Sequence, residues 1–126
     1  MSNKFGTAVN CMDGRTQIPV IKYLKKVYGV DYVDLVTEPG PNKILAENKD
    51  AGIIESIKRK VKISVERHDS KLVAVVGHHD CAGNPADKDT QMAHILSAVE
   101  AVRHWDLNVQ VVGLWVDENL KVRLVQ

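Results

Sequence analysis

Apolar residues in this chain gather into short unbroken runs, and between the runs they recur with helical spacing. Phe5 to Cys11 is one short apolar run, and Leu72 to Val76 is five apolar residues in succession, three of them valine. A run so apolar and β-branched predicts a strand covered on both faces, as in a parallel sheet. Tyr32 to Thr37 and Val109 to Val116 predict two further strands. After the turn Asp117 to Asn119, Leu120 to Val125 alternates in part, as a half-exposed edge strand of an antiparallel hairpin does.

The intervening segments predict helices. From Ile18 to Gly29, Val20, Ile21, Leu24, Val27 and Tyr28 share one side, with Pro19 suited to the first turn and Gly29 to the end. Asp50 can cap a long helix running to about His68, with Ile53, Ile54, Ile57, Val61 and Val65 inward and Lys58, Arg59, Lys60 and Lys62 mostly outward. A third helix, from about Thr90 to Trp105, places Met92, Ile95, Leu96, Val99 and Val102 on one face. Glu38 to Asn42, rich in proline and glycine, and Asn84 to Thr90, polar, are expected as loops.

Alternating strands and helices with right-handed crossovers give an α/β fold of three layers, a mostly parallel sheet with helices on both faces. With the first and third strands adjacent, the natural order is 2-1-3-4, with the last strand antiparallel at the edge. The first and third strands then flank the topological switch point, where ligand sites of this architecture occur.

At 126 residues the chain is the size of one domain, 1–126, and at 44% hydrophobic it can bury a core without staples. Its 17 basic and 16 acidic residues leave a formal net charge of +1, so no global field favours nucleic acid or membrane. The expected partner is a small molecule or another subunit. The start of the chain lacks the apolar segment of a secretory signal, and no run approaches the roughly 20 residues of a membrane span, so a cytoplasmic location is expected. Two cysteines are few for a disulfide scaffold and fit reduced thiols, although an exported or oxidised protein would allow a Cys11–Cys81 disulfide.

Chemistry enters at the ends of the first and third strands. Gly77 is followed by His78, His79, Asp80 and Cys81, and the first run ends in Cys11, Met12, Asp13, Gly14 and Arg15. Adjacent parallel strands bring Cys11 beside His78 and Cys81. Two thiolates and one imidazole form a soft set that suits zinc, and three protein ligands leave the fourth tetrahedral position open, as catalysis needs. Adjacent histidines cannot be separated by spacing alone, so His79 stands as the alternative to His78.

Plainer roles exist for the same residues. A lone cysteine at a strand end is commonly a small buried hydrophobe, and Asp13 with Arg15 can be a turn-stabilising pair. His79, Asp80 and His94 could relay protons or simply sit at the surface. His68 and His104, near helix ends, favour the carbonyl dipole and need no function. Lys58 to Lys62 fits a solvated helix face, Trp105 and Trp115 fit core closure, and the Pro39 to Asn42 loop lacks a phosphate-loop or dinucleotide fingerprint.

Cys11-x-Asp13-x-Arg15 on one strand end, with His78-x-x-Cys81 after Gly77 on another, resembles the pattern of the β-class carbonic anhydrases. The likeness extends through the helix before the central strand and the Val111 to Asp117 hairpin with Leu120 to Val125. It departs at Glu38-Pro39-Gly40-Pro41-Asn42, where the family carries a sequence like Arg-Asn-Ala-Gly-Asn, in a short insert after His78-x-x-Cys81, and in a start almost directly at the first strand. The resemblance implies Zn2+ held by Cys11, His78 and Cys81 with water or hydroxide as fourth ligand. It implies Asp13 and Arg15 as the catalytic pair, hydration of carbon dioxide to bicarbonate, and a homo-oligomer, a dimer or larger. Hydrolases of carbonyl sulfide or carbon disulfide resemble the same family. Two other classes remain as expectations: a zinc-binding relative without hydratase activity, acting as a binding or regulatory module, and a thiol redox protein using Cys11 and Cys81.

Overall fold

In the computed structural model, which describes residues 3–126, the elements are β1 (Phe5–Cys11), α1 (Gly14–Tyr28), β2 (Tyr32–Glu38), α2 (Pro41–Glu47), α3 (Ala51–Arg67), β3 (Leu72–His78), α4 (Lys88–Arg103), β4 (Gln110–Val116) and β5 (Val122–Leu124). The strands form one sheet of order β2-β1-β3-β4-β5, parallel except for the antiparallel β4–β5 pair. The order 2-1-3-4 with an antiparallel edge strand, expected from the alternation of elements, is the order observed.

Helix starts follow side-chain caps. Asp13 accepts from the Arg15 amide, Asp50 from Ile53 and Asp87 from Thr90, each satisfying a donor that the first helical turn leaves free. The Asp13 cap starts α1 at Gly14, ahead of the apolar pattern that begins at Ile18, because the first residues of the helix are polar and carry no periodic signal. Pro19 consequently lies inside the helix rather than in its first turn. Gly29 ends α1 at φ 69, its amide bonded to the Lys25 carbonyl.

The stretch from Glu38 to Asn42 is not one loop. Glu38 still belongs to β2, and α2 begins at Pro41, leaving Pro39 and Gly40 as the turn. Proline is favoured at the first helical position because its missing N–H would have no intrahelical partner there. Gly40, at φ 62, supplies the left-handed conformation that turns the chain into it.

Two apolar layers enclose the sheet. On one face Val20 and Leu24 of α1 pack on Ala8, Ala74, Val76, Val112 and Leu114. On the other, Leu45 of α2, Ile57 and Val61 of α3, and Ile95 and Val99 of α4 pack on Val9, Val73 and Val75. Trp115 is buried in this second layer and Trp105 packs against it, but Leu96 and Val27, expected inward, lie at the stripe margins and are exposed. Both ends of β1 carry buried polar groups. At the amino end Thr7 bonds Ser64 and Ser70 at 2.6 and 2.8 Å, and Ser64 donates to Asp34, which also receives His68 Nδ1 at 2.7 Å. This hydroxyl chain ties β1, β2 and α3 together.

Candidate metal centre

The pairing of β1 with β3 covers Thr7, Ala8 and Val9 against Val73, Ala74 and Val75, and goes no further. Pairing of β1 with β2 continues to Cys11 opposite Glu38, and of β3 with β4 to His78 opposite Val116. The two central strands therefore part over their last residues, each holding on to its outer neighbour. The gap is the crevice of the topological switch point. Cys11 and His78 stand at its two lips, and Cys81 comes from the turn after β3, which the Asn84 amide closes onto the Cys81 carbonyl.

One ligand atom each from Cys11, His78 and Cys81 lies within 4.8 Å of the others, and all three residues are buried. The cysteines are free thiols with sulfurs 3.8 Å apart. His78 Nδ1 lies 2.8 Å from the His79 carbonyl, so it carries the hydrogen and Nε2 keeps its lone pair. Nε2 is buried and has no hydrogen-bond partner. His79 turns away, its amide on the Val116 carbonyl and its side chain exposed.

Electrostatics favour a cation here. The thiol of Cys81 donates to Cys11 and holds it far below the usual thiol value, against burial and with help from His78 and the backbone amides of Gly40 and Asp13. The same exchange holds Cys81 protonated, although the Asn84 and Gly83 amides also reach its sulfur. Burial alone would depress the His78 imidazole, but the neighbouring Cys11 sulfur outweighs it and raises it. A divalent ion held here would displace the shared thiol proton and neutralise two thiolates with its two charges. Two Zn–S bonds of about 2.3 Å at a tetrahedral angle separate their sulfurs by about 3.8 Å, so the spacing and the donor set both fit zinc.

Asp13 is outside this cluster. Its Oδ2 accepts from Arg15 Nη2 at 2.7 Å and its Oδ1 from Arg15 Nε at 3.1 Å, a two-pronged contact, while Oδ1 also caps α1. Arg15 in turn reaches the Asp80 carbonyl at 3.1 Å, joining the two loops. The Arg15 guanidinium holds the Asp13 carboxyl down at about 2. A cleft of about 770 Å³ opens beside them, lined among others by Asp13, Arg15, Asp80, Cys81, Lys88 and Trp115.

Four buried amides, Asn10, Asn42, Asn84 and Gln91, had no role in the sequence reading, although Asn42 stands in a place comparable to the family's loop asparagine. One of them left a signal. Gln91 starts the buried face of α4 that continues through Ile95, Ala98, Val99 and Val102, so it is a polar residue in phase with an apolar stripe.

The model of a protein family described as "Putative carbonic anhydrase" matches residues 1–126. The chain belongs to this carbonic anhydrase family. No curated protein sequence matches it. Among solved structures, the carbonic anhydrase from Glaciozyma antarctica superposes with a TM-score of 0.67 at 14% identity, over 99% of this chain and 83% of that one. The β-carbonic anhydrase CafA of Aspergillus fumigatus gives 0.60 at 13%, over 98% and 76%. A tetrameric β-carbonic anhydrase of Sordaria macrospora gives 0.59 at 11%, over 98% and 81%. At these identities the likeness establishes the fold, which is that of the β-carbonic anhydrases. Among the described residues of this family member, no helix is long and apolar enough to cross a membrane.

Proposed function

We propose that the protein is a zinc enzyme that hydrates carbon dioxide reversibly to bicarbonate, with Cys11, His78 and Cys81 as the metal ligands. The observation that carries this reading is the convergence of those three donors, with a buried, unpartnered imidazole nitrogen among them. Zinc held there supplies a Lewis acid that brings the pKa of a coordinated water down toward about 7. The residues do the rest. His78 is oriented through its Nδ1–H bond to the His79 carbonyl. Asp13, kept ionised by Arg15, accepts a hydrogen bond from the attacking water and turns its lone pair toward the substrate carbon. Arg15 fixes that carboxylate and, through the Asp80 carbonyl, the loop that carries Cys81.

The remaining expectations belong to the same proposal. The relative from Sordaria macrospora is tetrameric, and this chain is taken to form a homo-oligomer as well. Two buried free thiols suit a reducing compartment such as the cytoplasm.

Metal analysis and stopped-flow hydration with an indicator dye test the reading. About one zinc per chain, lost in Cys81→Ala, together with hydration above the buffer rate supports it. A fully zinc-loaded protein no faster than buffer refutes the activity and spares the metal site. Protein that takes up no zinc refutes both.

A further inference from the structure

Where β1 and β3 part, two backbone groups lose their ladder partners. The N–H and C=O of one strand residue point the same way, and successive residues point to opposite neighbours. Met12 donates to the Glu38 carbonyl on β2, so the Cys11 amide faces the side that β3 has left. His79 donates to the Val116 carbonyl on β4, so the His78 carbonyl faces the side that β1 has left. Buried groups of this kind need substitutes. Asn10 Oδ1 accepts the Cys11 amide at 3.0 Å, and Gln91 Nε2 donates to the His78 carbonyl at 2.9 Å.

Gln91 does more than fill a vacancy. The same Nε2 donates to the Asn84 carbonyl, also at 2.9 Å, so one side-chain amide clasps both ends of the segment from His78 to Asn84, with Cys81 in the arch between. Carbonyls only accept, so the amide orientation is fixed and Oε1 must face Asn42 Nδ2, which lies 2.9 Å away. Asn84 Nδ2 then extends the chain to His94 Nδ1 at 3.0 Å, which makes that nitrogen an acceptor. Gln91 is 1% exposed, with no room to swing out. Gly77 leaves the space the amides occupy: a Cβ there would sit 2.7 Å from Asn42 Nδ2 and 3.0 Å from Gln91 Oε1.

We infer that Gln91 is a positioning residue for the metal centre, whose amide holds the His78 and Asn84 carbonyls together and so sets the separation of the His78 and Cys81 donors. It touches neither metal nor substrate. The inference rests on the proposal that Cys11, His78 and Cys81 bind a metal.

Cobalt(II) is the probe, because its visible absorption reports the ligand geometry directly. Wild-type protein, Gln91→Met, Asn42→Ala and Thr7→Val are each titrated with cobalt while folding is followed by circular dichroism. Methionine keeps the length and volume of Gln91 and removes both donors. Gln91→Met is expected to bind cobalt about 10- to 100-fold more weakly, the range found for residues that orient metal ligands, and to shift the cobalt bands. Asn42→Ala, which frees the amide without touching the clasped carbonyls, moves both readouts in the same direction by less. Thr7→Val, at the far end of β1, lowers stability and leaves the bands unmoved, which separates positioning from loss of stability. Wild-type affinity and an unshifted spectrum in Gln91→Met overturn the inference. Should that variant fail to fold, an unshifted spectrum in Asn42→Ala overturns it equally. A wild-type protein that binds no cobalt overturns the metal-site proposal itself, a result distinct from either.

Discussion

A single methyl group added at Gly83 tests whether the centre depends on two backbones crossing at van der Waals distance. A Cβ there would lie 2.4 Å from the Pro39 carbonyl carbon, 2.6 Å from its oxygen and 2.7 Å from the Gly40 nitrogen. Every obstructing atom is backbone, so no rotamer change relieves the clash. Ordinary contact begins at 3.4 Å, so the Pro39–Gly40 turn and the loop after Cys81 must separate by about 1 Å. That movement shifts the turn after β2 relative to the loop that carries Cys81, and with it the spacing of Cys11 and Cys81.

The sign of the stability change decides the matter. Gly83 is not among the residues with positive φ, so alanine fits its backbone without strain. If space were free, the substitution would stabilise by about 0.4 to 1 kcal/mol, through the entropy of the unfolded chain. Overpacking against backbone instead costs about 1 to 3 kcal/mol. Urea unfolding of Gly83→Ala is therefore expected to show a net loss of about 1 to 2 kcal/mol, and competition with a chromophoric chelator to show weaker zinc binding. A variant as stable as the wild type, with unchanged zinc affinity, refutes the account of the crossing. Gly40→Ala tests it less cleanly, because φ 62 strains any alanine there whatever the space.

Asp13→Asn keeps a side chain able to cap α1 but loses the charged contact to Arg15; hydration is expected to fall about 100-fold, with zinc content by metal analysis unchanged. Because Asp13 is depressed from 3.8 to about 2 by Arg15, its contribution to stability is complete above the higher value and disappears as pH falls through the lower one. Acid titration of thermal stability should accordingly be flatter below about pH 4 in Asp13→Asn than in the wild type. Thr7→Val removes the central hydroxyl of the chain joining Ser64 and Ser70, leaving these two buried serines without that partner; urea unfolding is expected to show a loss of about 1 to 3 kcal/mol with zinc affinity intact.

The sequence carried the sheet order and the meeting of Cys11, His78 and Cys81 for one reason: parallel strands deliver their carboxyl ends to the same edge. Once β1 and β3 are neighbours, residues far apart in the chain must converge there. Periodicity also located α3 and its cap at Asp50. It failed on α2, because seven residues are too few to display a period and the prolines of Pro39-Gly40-Pro41 act as breakers within a run but as a start signal at its edge. Between the adjacent His78 and His79 periodicity is silent; the resemblance pointed to His78, and His78 is the one in the cluster, held at the end of β3 where it still pairs with β4. The amides were hidden for a different reason. Asn10, Asn42, Asn84 and Gln91 have meaning only through backbone groups that lose their partners when two strands separate, and nothing local in the chain marks that separation.

The buried polar residues at the carboxyl end of the sheet follow from the same event. Across the middle of the sheet the core is valine, alanine, leucine and isoleucine, and Asn10, Thr16, Asn42, His78, Asn84 and Gln91 gather where β1 and β3 diverge. A buried backbone group left unpaired costs about 1 to 3 kcal/mol, so opening a crevice between the two central strands would be prohibitive without side chains that mimic the missing ladder. Asn10 and Gln91 supply that mimicry, and the bare backbones of Gly40, Gly77 and Gly83 let the helices and loops approach closely enough for it to work. Glycines and amides around the donors are therefore as much a condition of the centre as the two sulfurs and the imidazole. Replacing the proposed ligands one by one measures only the last step of an arrangement that begins where the sheet comes apart.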